Sequence, residues 1–119
     1  MKIHPAVVNI SAIIVTYHPD VKILRSLVAS LAKQCSHVII VDNGSGFCDS
    51  ILGCESPIVH QILLESNAGI ARAHNLGTAK AKELSSSHVL LMDQDSDPAA
   101  DMVHQLLATE AEIASFGSN

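Results

Sequence analysis

The sequence predicts an α/β domain, a parallel sheet with helices on both of its faces. Four short apolar runs, "ISAIIVTY" from Ile10, "HVIIVD" from His37, "IVHQILLE" from Ile58 and "HVLLMD" from His88, are β-branched or leucine-rich and have strand length. Segments of helical character separate them, and such alternation implies right-handed crossovers between parallel strands. Composition agrees, because 48% hydrophobic and 16% charged residues describe a folded globular chain. At 119 residues, one domain spanning residues 1–119 is expected. No internal repeat, linker or low-complexity segment interrupts it.

The elements can be justified in order. After the first run, Asp20 follows Pro19 and is placed to cap a helix whose Val21, Leu24, Leu27, Val28 and Leu31 recur at helical spacing. The connection from Gly44 to Pro57 is weaker, with Gly, Ser and Cys around a short apolar patch, and has room for one or two helical turns. His60 lies within the third run and reads as a partly buried strand residue. "GIARAHNLGTAKAKEL" from Gly69 is alanine-rich and ends in Lys80, Lys82 and Glu83, a helix with one buried face of small residues. Met102, Val103, Leu106, Leu107 and Ile113 mark a last helix. Asp97 stands directly before Pro98, which reads as an N-cap followed by proline at the first helical position, worth about 1 kcal/mol.

The net charge of −5 and the lack of a basic run exclude general nucleic-acid binding, although a local site could hold nucleotide phosphates through a metal. Cys35, Cys48 and Cys54 are odd in number and form no CxxC pair, so reduced, structural thiols are expected rather than a disulfide framework or a zinc knuckle. No leader pattern or run of membrane-spanning length is present, which predicts a cytoplasmic protein and makes the sequon at Asn9 a chance match.

In an open parallel sheet, ligands bind beyond the carboxyl ends of the strands. The residues there are Thr16, Tyr17 and His18; Asp42, Asn43 and Ser45; Glu65, Ser66 and Asn67; and Asp93, Gln94 and Asp95. All four ends are polar. In "DQD" a two-residue offset lets Asp93 and Asp95 face one ligand, and two carboxylates suit Mg²⁺ or Mn²⁺, whose shell phosphate oxygens can complete. A solvated acidic turn has the same spacing. Arg72 falls in the first turn of its helix, where the dipole disfavours a cation, so either a nearby anion compensates it or it reaches into water. "HPD" at His18 to Asp20 matches the J-domain tripeptide but follows a strand here. The seven histidines show no zinc-binding spacing.

Taken together, "VTYHPD", "VIIVDNGS", "NAGIARAHNLG" and "LLMDQDS", in this order from about Ile10 to Leu107, resemble the N-terminal half of family-2 glycosyltransferases with the GT-A fold, nearest the bacterial rhamnosyltransferases. The resemblance implies a Rossmann-like nucleotide-binding half followed by an acceptor-binding half. It places Thr16 and Tyr17 against the base, has Asp42 hydrogen-bond the pyrimidine ring, and puts Asn67 and Arg72 in the nucleotide pocket. Asp93 would approach the ribose or the metal, and Asp95 would bind the Mg²⁺ or Mn²⁺ that bridges the diphosphate. The implied donor is a dTDP- or UDP-linked sugar, above all dTDP-rhamnose, and the implied acceptor is a saccharide or lipid-linked chain of the cell surface, met at the inner face of the membrane.

Family members continue past the point where this sequence reads "ASFGSN", and their catalytic base lies in that second half. The expectation is nucleotide and metal binding with little or no transfer by this stretch alone. Two other readings stay open at the sequence level. A haloacid-dehalogenase-type phosphotransferase also uses a DxD after an apolar strand, but places it on its first strand. A non-catalytic binding or assembly module, homodimeric through an uncovered sheet edge, is the second.

Overall fold

The computed structural model describes residues 8–48, 50–53 and 56–117, with side chains through residue 110. Cys54 and the side chain of Ile113 lie outside the described residues. The chain runs β1 (Ile10–Thr16), α1 (Val21–Ala32), β2 (His37–Asp42), β3 (Val59–Leu63), α2 (Ile70–Glu83), β4 (His88–Asp93) and α3 (Met102–Gly117). All strand pairs are parallel, in the order β3-β2-β1-β4. Each apolar run read from the sequence therefore contains one strand.

The strand order dictates the layers. From β1 the chain moves outward through β2 to β3, then returns to place β4 on the other side of β1. Right-handed crossovers on opposite sides of the starting strand put their connections on opposite faces. On one face Ala12, Ile14, Val38 and Ile40 pack with Leu24, Leu27 and Leu31 of α1, with Ile51 and Leu52 of the β2–β3 connection, and with Val103 of α3. On the other, Ile13, Ile39 and Val41 pack with Ala73 and Ala81 of α2. The small face of α2 has a steric cause: a Cβ at Gly77 would stand 2.6 Å from Ile13 Cγ2. Burying these branched side chains, at about 1.5–3 kcal/mol each, drives both layers.

Asp20 is the α1 cap the sequence predicts, accepting from Lys22 N at 3.0 Å and Ile23 N at 3.2 Å. Two expectations need correction. The β2–β3 connection forms no helical turn among its described residues, because its polar backbone groups find partners elsewhere. Ile51 N donates to Gln61 Oε1 at 2.8 Å, and Arg25 Nη2 donates to Leu52 O at 2.9 Å. Asp97 does not cap α3, which starts at Met102. The start is fixed by a distant partner: Gln34, just past α1, accepts from Val103 N at 3.0 Å and donates to Ala99 O at 2.9 Å. One of the first-turn N–H groups is thus satisfied from 69 residues away.

Of the described thiols, Cys35 is buried, which pushes its pKa up to about 11, and Cys48 is exposed. Both are free. His60 is half-buried in β3 with its Nε2 3.2 Å from His37 Nδ1, and burial, then His37 and Lys80, hold its pKa below the ordinary histidine value.

Candidate functional site

A strand order that reverses beside β1 creates a switch point between β1 and β4, where an open α/β sheet offers its crevice. Thr16 and Tyr17 stand on one side of it, and Asp93, Gln94 and Asp95 on the other. Register is fixed up to the rim, since Val15 is level with Asp93 and Thr16 with Asp42.

The β1–β2 side is tied together by Asp42. This residue is 1% exposed and Thr16 is fully buried. Asp42 Oδ1 accepts from Thr16 Oγ1 and Ser45 Oγ, both at 2.7 Å, and Oδ2 accepts from Ser45 N at 2.8 Å. Burying a carboxylate is costly without such donors, and charge-assisted bonds of this length are the strong kind. Ser45 Oγ in turn accepts from His18 N at 2.7 Å, which holds the turn after β1. The sequence reading has Asp42 meet a ligand base. In the structure its oxygens face inward, so a base contact would use the remaining capacity of Oδ2 or displace Ser45.

Asn43 links the next loop, its Oδ1 accepting from Ala68 N at 2.8 Å. Between them Gly44 adopts φ +89°, and a Cβ there would lie 2.6 Å from the Ser66 carbonyl carbon, so this close approach requires glycine. Asn67 is exposed and accepts from Gly69 N at 2.8 Å. Gly69 begins α2 without a side-chain cap bond, and Arg72 stands exposed in the first turn. Among the described residues no acidic side chain pairs with Arg72.

The β4 side is different in kind. Asp93, Asp95 and Asp97 are exposed, and Ser96 N donates to Asp93 O at 3.1 Å, closing a turn with Gln94 and Asp95 at its centre. Asp95 lines a cavity of about 460 Å³ with Lys22, Ile23 and Ser26 of α1 and with Ser96 and Asp97. Asp93 does not line that cavity, and follows Val89 and Leu91 onto the sheet's α2 face. Gln94 bridges the crevice: its Oε1 accepts from Tyr17 N at 2.8 Å and its Nε2 donates to Tyr17 O at 3.3 Å. Tyr17 is 48% exposed, and its ring lies 4.2 Å from that of His18.

Ser45, Asn43 and Gln94 do much of the positioning, and the sequence reading gave them no role beyond polarity. One local signal was available, a serine three residues after an aspartate in "DNGS", which is the spacing of a side-chain-to-backbone turn. Nothing local signals the pairing of Gln94 with Tyr17.

The sheet and its rim define an open parallel α/β domain, the class in which ligands bind beyond the carboxyl ends of the strands. The chain belongs to glycosyl transferase family 2, whose model matches residues 11–112. Its four-stranded sheet is the Rossmann-like N-terminal half of the GT-A fold. Over 100 residues it is 37% identical to the dTDP-rhamnosyl transferase RfbF of Shigella flexneri, a match that covers 82% of this chain and 33% of that protein. The chain thus spans about a third of the length of this relative.

Proposed function

We propose that these residues bind the nucleotide of a nucleotide-diphospho-sugar, and that the protein they belong to transfers the sugar to a saccharide or lipid-linked acceptor in surface polysaccharide synthesis. The observation that carries this is the switch-point crevice, where the end of β1 at Thr16 and Tyr17 lies beside the turn that carries the exposed Asp93 and Asp95, in a chain of glycosyl transferase family 2. A dTDP-linked rhamnose is the favoured donor because the relative RfbF is named for it. UDP-linked sugars are the alternative.

The donor set at the end of β4 is of the kind that suits Mg²⁺ or Mn²⁺. Asp93 and Asp95 offer hard oxygen ligands, and among the described residues neither carboxylate accepts a hydrogen bond or joins an ion pair. No group of three or more His, Cys, Asp or Glu side chains that could hold a metal occurs among the described residues. The protein would therefore supply two ligands, leaving the rest of the shell to phosphate and water, as is usual for Mg²⁺ with nucleotides. Asp95 fits the ion on these terms, and Asp93, outside the cavity that Asp95 lines, would join it by a shift of the turn between them. When bound, it would supply neutralisation of the charge that develops on the departing diphosphate.

The chain's own groups would do the rest. Thr16, Tyr17 and Asp42 would hold the base end, Asn67 and Arg72 would face nucleotide oxygens, and Asp93 would reach ribose or metal. Arg72, exposed in a first turn and unpaired by any described acid, gains its compensating anion in this reading. The base that deprotonates the acceptor hydroxyl is proposed to belong to an acceptor half outside these residues. No helix of the described residues is long and apolar enough to cross a membrane. Contact with the inner membrane face would come through a lipid-linked acceptor.

Calorimetry with dTDP and UDP, each with and without Mn²⁺, tests the reading. Binding that strengthens with metal is expected, dTDP ahead of UDP. No metal-dependent binding at millimolar nucleotide overturns it.

A further inference from the structure

We infer that Gln94, the middle residue of "DQD", is a positioning residue that couples the metal carboxylates to the base end of the nucleotide site. The inference rests on the nucleotide-binding reading above.

The last registered pair of the β1–β4 ladder is Val15 with Asp93. Beyond it both chains leave the sheet, and the turn that carries Asp95 has no further ladder rung to hold it. Gln94 supplies one from its side chain. Its amide accepts from Tyr17 N and donates to Tyr17 O, at 2.8 and 3.3 Å, the two backbone groups that a continuing neighbouring strand would satisfy. This requires one donor and one acceptor at the length of a glutamine. Glutamate lacks the donor, and asparagine is a methylene short.

Three consequences follow from this geometry. Both polar ends of Gln94 are engaged, so it is not itself a ligand. Asp93 and Asp95, which flank it, are tethered to the turn that presents Tyr17. Displacement of the carboxylate turn on binding a metal is therefore transmitted to Tyr17, and the base end and diphosphate end respond together. A misplacement of about 1 Å can cost up to about 100-fold in a positioned site.

The chain carries its own reporter, because Tyr17 is the sole tyrosine and there is no tryptophan. Tyrosine emission of the 119-residue chain would be followed during titration with MnCl₂, and dTDP affinity measured with and without the metal. The variants are Gln94→Met, which keeps the length and removes both bonds, Asp95→Asn, and Gln105→Ala on α3 as a control. In the wild type, Mn²⁺ changes Tyr17 emission and strengthens dTDP binding. Gln94→Met is expected to lose the emission response and to reduce the metal's enhancement of dTDP binding by about 10-fold or more, with an unchanged melting temperature. Gln105→Ala is expected to behave as wild type. A Gln94→Met chain that keeps both the emission response and the full enhancement overturns the inference and leaves the nucleotide site standing. A wild-type chain that binds neither Mn²⁺ nor dTDP overturns the site and this role together.

Discussion

On the β1–β2 side of the crevice, Asp42 is 1% exposed and its two oxygens accept three hydrogen bonds. On the β4 side, Asp93 and Asp95 are exposed and, among the described residues, their carboxylates accept none. One residue type at the ends of the two strands that flank β1 thus serves two purposes. Where water is excluded, the carboxylate must be compensated by protein donors, and its lone pairs are consumed in shaping the rim. Where water is present, the lone pairs stay available, and like charges can sit close because solvent screens them until a cation replaces it. Stability and binding should therefore separate between the two sides.

The largest effect is expected from Asp42→Ala. It strands the Thr16 hydroxyl and the Ser45 amide, at about 1–3 kcal/mol for each buried group left unsatisfied, or roughly 10–20 °C in melting temperature. Differential scanning calorimetry checks it. A loss no larger than that of a surface substitution would erase the contrast between the two sides.

A smaller effect concerns pH and the far edge of the sheet. Burial first, then His37 and Lys80, lowers the pKa of His60 in the folded state. The unfolded chain then binds the proton more readily, so this stabilising contribution is fully present above the unfolded value of about 6.5 and is lost as pH falls through the lowered folded value. Melting temperature should drop over that window, and His60→Gln should flatten the drop. An unchanged pH profile in the variant would remove His60 as its cause.

The smallest effect is expected at Asp97. A true N-cap would cost about 1 kcal/mol on truncation to alanine, whereas an exposed aspartate beside a cavity should stay within about 0.5 kcal/mol. Urea denaturation distinguishes the two, and a loss near the cap value would restore Asp97 to the role that the sequence suggested.

Asp97 also shows where sequence reading stops. Every strand was legible because its β-branched or leucine run is bounded by polar residues. The cap of α1 and the small-residue face of α2 were legible because their causes are local: Asp20 next to Val21, and small residues four apart at Ala73, Gly77 and Ala81. "DSDP" offered equally local grammar, yet the start of α3 depends on Gln34, whose contact the tertiary fold creates. The site divides in the same way. Polar residues at strand ends could be picked out one by one. That Asp42 turns inward to Thr16 and Ser45 while Asp95 stays open depends on which strands become neighbours. Gln94 was visible only as the spacer between two aspartates until β4 was found beside β1.

In the proposed function the open side binds metal with nucleotide, and the closed side holds the rim. Calorimetric titration of Asp95→Asn with dTDP, in the presence and absence of Mn²⁺, tests it most directly. In this variant the metal is expected no longer to strengthen dTDP binding, while the melting temperature stays within a few degrees of wild type. Metal-dependent binding that persists in Asp95→Asn would contradict it.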